Sequence, residues 1–294
     1  MTTPEPAPAS RRQLGAELAR LRTARGILLK DVAAHLGTSP TRAGRMESGK
    51  GRVTPRTDEI VKLCELYGVT DEHQVQKLVG MVPTSMAPGW WEPYRDSLPA
   101  GLDVYFGLEL SATSERAWEP VLVHGLLQTP DYARAVVKAG PAVRPSEVED
   151  LVDIRAKRQA AVLTESATRT PLNLWAILDE AVVTRPVGGP EVMRAQLRHL
   201  IDVAELPHVT LQIVPIKKGA HPGLGGSFSI LDFAGAEPPA EPPVVYVDSH
   251  AGNSYLEKPS DVRTFTAAFD LLIAAAADPT DSTAILHRAA KEMT

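Results

Sequence analysis

The segment LKDVAAHLGTSPTRAGRMESGK, residues 29 to 50, admits few arrangements other than two short helices meeting at a sharp turn. Val32, Ala33 and Leu36 recur at helical spacing on one face, and Gly37 supplies the backbone freedom that an abrupt helix-to-helix turn requires. Ser39 stands where an N-cap belongs, and Pro40 suits the first helical position, where its missing N–H removes no helical bond. In the second helix Ala43 and Met46 face inward, which leaves Thr41, Arg42, Gly44 and Arg45 to solvent or to a groove.

A chain of 294 residues predicts two domains with separate cores. Cys64 is its single cysteine, so there is no intramolecular disulfide and no cysteine-based zinc site, as expected in a reducing cytoplasm. MTTPEPAPASRR has no apolar core of signal-peptide length, and the most apolar run, LLIAAAA at 271–277, is too short to span a bilayer, so a soluble cytoplasmic protein without membrane contact is expected. The formal charge of -5 conceals a division along the chain. Residues 11–56 hold eleven Lys/Arg and three Asp/Glu, a local +8, whereas residues 57–294 hold twenty and thirty-two, a local -12. That asymmetry fits a small head that binds double-stranded DNA, carried by a body that does not.

Hydrophobic periodicity predicts a multidomain chain: an all-α five-helix N-terminal domain and an α+β C-terminal domain with a mainly antiparallel sheet. Residues 1–10, rich in Pro, Ala and Thr, read as a disordered lead-in, 11–80 as the helical domain, 81–93 (MVPTSMAPGWWEP) as a linker, and 94–294 as the second domain. In the first, Leu14, Leu18 and Leu21 mark helix one; Thr57 is expected to cap a helix with Ile60, Leu63, Cys64 and Tyr67 inward; and a last helix is expected over Asp71–Gly80. In the second, helices are expected near 102–118, 130–139, 145–166, 189–205 and from Pro259 to about Ala277. LNLWAIL, VTLQIVP, GSFSILDF and VVYVDS read as strands, with SYLE pairing to the last across Ala251-Gly252-Asn253.

The spacing of Ala33, Gly37, Ala43, Met46, Glu47, Gly49 and Lys50, with flanking helices from Leu14 to Val69, resembles the XRE-type, phage-repressor-like helix-turn-helix domain. That resemblance implies a second helix of the pair, Ser39 to Glu47, lying in the major groove, with Pro40, Thr41, Gly44 and Arg45 at the base-reading positions. Arg45 is the leading candidate, because a guanidinium can donate two parallel hydrogen bonds to guanine O6 and N7, whereas Gly44 offers no side chain. Arg42, Ser48, Lys50 and Arg52 fall where side chains meet phosphates. A carboxylate facing DNA would be repelled, so Glu47 is expected to form a structural ion pair inside the domain, with Arg20 or Arg22. The chain departs from the family at Leu28-Leu29, where a polar cap and a phosphate-binding Gln are usual. A two-fold homodimer reading two half-sites is the family's expected arrangement.

Further along, EPVLVHGLLQTPDYARAVV, RAKRQ, DEAVVTRPVGGPEVMRAQLRHL, GAHPGLGGSFSILDF and VVYVD look like the C-terminal domain of a large actinobacterial regulator group, over about residues 90–280. Departures are His124, usually Pro, and Asp248, usually Glu. The resemblance implies a small acidic partner protein and an antitoxin-like role. For catalysis the residues supply loose parts only: His221 in a Gly/Pro-rich loop, and Glu109, Glu119, Asp179, Glu180 and Asp248 scattered along an acidic domain. His199, His208 and His221 lack metal-ligand spacing, so no metal and no cofactor is expected. The pair Trp90-Trp91 with Tyr94 lines a pocket, anchors a partner or covers a seam between domains. The expectation is a transcription regulator and not an enzyme, whose C-terminal domain binds a ligand or partner protein; the alternatives are an antitoxin-like module that sequesters a small protein, or a DNA-tethered hydrolase acting through the His221 loop.

Overall fold

In the computed structural model, which describes residues 9–49, 53–86, 90–91, 93–94, 98, 101–140, 143–165, 170–233, 242–249 and 252–293, Leu14, Leu18 and Leu21 line the inner face of helix α1 (Ala9–Ala24). The helix begins two residues inside the expected lead-in, since Ala9 and Ser10 are helical; residues 1–8 lie outside the described residues. Helices α2 (Leu29–Leu36), α3 (Pro40–Ser48), α4 (Thr57–Tyr67) and α5 (Glu72–Met86) follow. They close over one core of Leu14, Leu18, Val32, Ala33, Ala43, Met46, Ile60, Leu63, Cys64, Tyr67, Leu78 and Val82. Thr57 is the first helical residue of α4 and not its cap. Arg56 caps it, and the Glu59 carboxylate accepts the Arg56 N–H at 2.8 Å. Helix α5 runs past Gly80 into the expected linker, because Val75, Leu78, Val79 and Val82 continue to meet the core at helical spacing.

Helices α1 and α3 cross where α1 has a glycine. A Cβ built on Gly15 would lie 2.6 Å from the Met46 carbonyl oxygen and closer still to that of Glu47. The crossing therefore depends on the missing side chain.

The chain forms two compact units, and their division differs from a single break at residue 94. The first gathers the residues up to 92 with 103–111 and 233–242; the second holds 93–102, 112–232 and 243–294. Helix α6 (Leu102–Ser111), save its first residue, falls in the first unit. It is apolar on every side, with Val104, Tyr105, Phe106 and Leu108 buried, and Trp90 stacks on Phe106 at 5.2 Å while Trp91 meets the same ring edge-on at 5.9 Å. The Trp90-Trp91 pair thus closes on α6. Tyr94 is placed elsewhere, under the Lys157 ammonium in the second unit.

In the second unit the elements run β1 (Ala112–Glu119), α7 (Pro130–Lys138), α8 (Val148–Leu163), β2 (Asn173–Asp179), α9 (Glu180–Thr184), α10 (Pro190–Val203), β3 (Val209–Val214), β4 (Phe228–Phe233), β5 (Val244–Val247), β6 (Ser254–Leu256), α11 (Pro259–Ala275) and α12 (Pro279–Glu292). The architecture is α+β on a mixed sheet of order β3-β2-β1-β4-β5-β6. Strands β4, β5 and β6 pair antiparallel, with Tyr246 opposite Tyr255 in the hairpin read from VVYVDS and SYLE. Strands β1, β2 and β3 pair parallel, in the register Trp118 to Ile177 and Ile177 to Gln212, because helices connect each to the next. Helix α11 covers one face, setting Phe269 and Leu272 against Trp118, Ile177, Val214, Phe228, Ile230 and Val245.

Two elements depart from the sequence expectation. Residues 112–118 form the strand β1 and not the end of a helix from 102. Its polar side chains are met by distant partners, as where Arg116 donates to both Asp232 oxygens at 3.3 Å, so its alternation is masked in sequence. Helix α12 is unanticipated; Asp278 caps it, accepting the Asp281 N–H at 2.8 Å. Its entry covers the free edge of β3: Ala277 N–H donates to the Ile213 carbonyl at 2.8 Å and Ser282 Oγ accepts the Ile213 N–H at 3.0 Å. Among the described residues no helix is long and apolar enough to cross a membrane.

The two glycines at the α1–α3–α2 junction predict opposite outcomes. Gly15→Ala should destabilise the first unit by about 1–3 kcal/mol through overpacking. Gly44→Ala, whose Cβ would meet only Leu29 at 3.7 Å, should stabilise α3 by up to about 1 kcal/mol. Amide hydrogen exchange of α1 and α3 in the full chain reads both.

Candidate nucleic-acid interface

The exposed face of α3 is set by how its ends are built. Gly37 adopts φ 63°, ψ 38° at the end of α2, a left-handed conformation, and the Thr38 N–H returns to the Ala33 carbonyl at 2.8 Å. Ser39 then caps α3, its Oγ accepting the Arg42 N–H at 3.2 Å, and Pro40 occupies the first helical position. With Ala43 and Met46 buried, Pro40, Thr41, Arg45 and Ser48 are exposed on α3, and Gly44 is half-buried beneath Leu29. Leu29 packs on the core of the first unit, while Leu28, the cap of α2, is 55% exposed. The first turn of α2 is held instead by Asp31, whose carboxylate accepts the Leu28 N–H at 3.2 Å.

Glu47 meets Arg22 and not Arg20. Arg22 Nε donates to both Glu47 oxygens, at 2.8 and 3.0 Å, and its Nη1 donates to the Ile27 carbonyl at 2.7 Å. Arg20 turns along its own helix to Glu17, at 2.8 and 2.6 Å. Tyr67 places its hydroxyl 3.5 Å from Glu47, and burial first, then the Glu47 charge, push that phenol well above its ordinary pKa.

Arg42, expected among the phosphate-facing residues, is paired within the domain: its Nη1 and Nη2 donate to the two oxygens of Glu59 at 2.8 and 3.1 Å, so the fork is turned onto α4. Arg45, three residues on, is exposed, and no described residue pairs with its guanidinium. Ser48 lies exposed at the end of α3 with its hydroxyl donating to the Arg45 carbonyl at 3.4 Å. Lys50 and Arg52 lie outside the described residues.

In the second unit the scattered polar residues do not converge as one catalytic set. The His221 side chain is 4% exposed, 3.6 Å from Asp179 and edge-on to Trp118 at 5.1 Å. Its loop is fastened to the sheet by Trp118 Nε1, which donates to the Gly223 carbonyl at 2.8 Å. Asp179 caps α9, and Glu180 accepts the Ile216 N–H at 2.9 Å and pairs with Arg288 at 3.5 Å. Glu109 is buried in α6 and belongs to the other unit.

What sequence patterning missed is a buried charge cluster beside the end of β1. His124 and Glu115, 2% and 0% exposed, approach to 3.2 Å, with buried Arg158 coupled to both His124 and Glu119. Burial opposes a charge on His124, but the Glu115 carboxylate, by charge and hydrogen bond, outweighs it and lifts the imidazole above its ordinary pKa. Half-buried Glu119 is pushed up to about 7, chiefly by loss of solvation, with Glu115 and Asp248 adding to the rise and His124 and Arg158 opposing it. The sequence holds little signal for it, since Glu115 stands between the polar Ser114 and Arg116, and its partner lies nine residues on, across a turn.

Comparison with known families matches residues 13–78 to a helix-turn-helix domain and residues 102–288 to the domain of unknown function DUF5753. No curated protein and no solved structure matches the chain.

The two arginines of α1 should separate on mutation. Arg22→Ala strands the Glu47 carboxylate, 8% exposed, and should destabilise the first unit by about 3 kcal/mol, whereas Arg20→Ala should cost less than about 0.5 kcal/mol; hydrogen exchange at α3 distinguishes them. For Glu119, a folded pKa of about 7 against an ordinary 4.5 means that its contribution is complete below 4.5 and lost as pH rises through 7. Glu119→Gln should therefore melt above the parent at pH 8, with the difference shrinking toward pH 5 in thermal scans of the full chain.

Proposed function

We infer that this chain, which belongs to the DUF5753 family and carries a helix-turn-helix domain ahead of it, is a sequence-specific DNA-binding transcription regulator of the XRE type from the actinobacterial regulator group. The observation that carries this is the asymmetry of α3. Its inner face and its terminal carboxylate are tied into the first unit, while Arg45 stands exposed and, among the described residues, unpaired, the geometry a base-reading guanidinium requires. Thr41 and Pro40 border Arg45 at the groove, and Ser48, at the end of α3, is assigned to the phosphate backbone together with Lys50 and Arg52, which lie outside the described residues. The local +8 of residues 11–56 supplies the sequence-independent attraction.

One module of this size contacts too little DNA for operator affinity, so a two-fold homodimer on two half-sites is part of the proposal. Residues 94–294 act as the sensor for a ligand or small partner protein, and the reading assigns no reaction to His221 or to the carboxylates around it. A partner held there acts on DNA binding only through its preference for one state of the chain over another. Such a partner lowers operator occupancy by its differential affinity for the free protein and by no more. Cytoplasmic placement follows from DNA as the target.

Selection of bound sequences from random duplex DNA by the purified chain tests the reading: one enriched motif is expected, and none at moderate salt would defeat it. Against that motif, Arg45→Ala should lose about 1–3 kcal/mol of discrimination at a single base position. Equal weakening on every sequence would show that Arg45 meets a phosphate.

A further inference from the structure

Glu59 decides which of the two guanidinium groups on α3 can meet DNA. It stands in the first turn of α4 with its side chain 7% exposed. One oxygen accepts Arg42 Nη1 at 2.8 Å; the other accepts Arg42 Nη2 at 3.1 Å and the Arg56 N–H at 2.8 Å. Burial alone would raise its pKa, but the Arg42 fork and the Arg56 amide outweigh it and hold the carboxyl below its ordinary value, so the charge persists through neutral pH. A carboxylate fixed by a helix start and a bidentate arginine is a rigid anchor. It joins the middle of α3 to the first turn of α4.

Among the described residues no carboxylate pairs with Arg45. Two arginines three residues apart on one helix therefore have different fates, and neither propensity nor spacing distinguishes them. A free Arg42 would add a phosphate contact that strengthens binding to every duplex alike and so dilutes discrimination. We propose that Glu59 is a specificity-determining positioning residue: it withholds Arg42 from the DNA backbone and pins α3 to α4, leaving Arg45 as the guanidinium that α3 presents to the groove. This rests on the DNA-binding reading above and deepens it.

The test is the salt dependence of binding by the full chain to a mixed-sequence duplex, for the parent, Arg42→Ala, Glu59→Gln and the double variant, with circular dichroism to monitor folding. Gln at position 59 keeps an oxygen for the Arg56 N–H. If Glu59 withholds Arg42, Arg42→Ala leaves the slope of log K against log salt at the parent value. Glu59→Gln steepens it by about 0.9, the increment for one more phosphate contact, and the double variant returns to the parent slope. On the enriched motif, Glu59→Gln also lowers the ratio of specific to non-specific affinity.

A slope made shallower by about 0.9 in Arg42→Ala alone would show that Arg42 already meets a phosphate and would overturn the proposal; this arm does not depend on the folding of any Glu59 variant. An unchanged slope in folded Glu59→Gln overturns it equally. Failure of the underlying reading shows in the parent by itself, as an absence of salt-dependent duplex binding, and removes the proposal with it.

Discussion

The Glu47 carboxylate lies 2.8 and 3.0 Å from Arg22 Nε, whose Nη1 continues to the Ile27 carbonyl, while the Tyr67 hydroxyl approaches from α4 at 3.5 Å. Helix α1, the turn into α2, the end of α3 and the end of α4 thus converge on one charge. Removing either partner would strand a poorly solvated ion, so the pair fixes the angle at which α3 leaves the core. The convergence needs the backbones of α1 and α3 nearly in contact, which only a glycine at position 15 permits. A charge and an absent side chain, thirty-two residues apart in sequence, together determine how α3 presents its outer face.

That outer face is shaped as much by what is withheld as by what is offered. Serine and proline at the start of α3, and alanine and methionine inside, are local choices that would build the same helix in many settings. The pairing of Arg42 with Glu59 is not local, since it spans a loop and seventeen residues. Sequence reasoning correctly divides α3 into inner and outer positions at Ala43 and Met46, because helical periodicity carries that information. It does not disclose the Glu59 partner of Arg42, because an outward-facing arginine beside an acidic helix start has the same sequence signature whether it faces water, phosphate or carboxylate. The choice between Arg20 and Arg22 for Glu47 was undecidable for a related reason. Both lie within reach by spacing, and only the Ile27 carbonyl, placed by the turn, supplies the second acceptor that favours Arg22.

In the second unit legibility follows the same boundary between local pattern and distant partner. Strands β2 to β6 are apolar runs between Gly and Pro, and each reads directly. Strand β1 is the one beside both the parallel and the antiparallel halves, and it is the one missed, because Ser114, Glu115 and Arg116 interrupt its apolar alternation. Ser114 and Arg116 find Asp232 on β4, and Glu115 finds His124. Polar residues satisfied from afar are invisible to a periodicity count. The pairing sense of β1 to β3 was likewise hidden, since strand length and composition do not encode direction; the connecting helices do. Helix α12 is hard to read because it follows α11 after a single Asp-Pro break; it packs on α10 and β3.

The two units hold buried charge by different chemistry, and the difference locates any response to pH. In the first, arginine forks grip Glu47 and Glu59. Arg22 and Arg42 are raised above an already high pKa and Glu59 is lowered, so the Glu59 contribution is present above the ordinary carboxylate range and lost only as pH falls through its folded value. In the second, Glu119 at about 7 changes protonation within the range a cell experiences, and the Glu115 carboxylate holds the His124 imidazole above its ordinary pKa. A shift of a pH unit around neutrality therefore changes the charge on Glu119, at the end of β1, while the Glu59 carboxylate stays ionised beside Arg42.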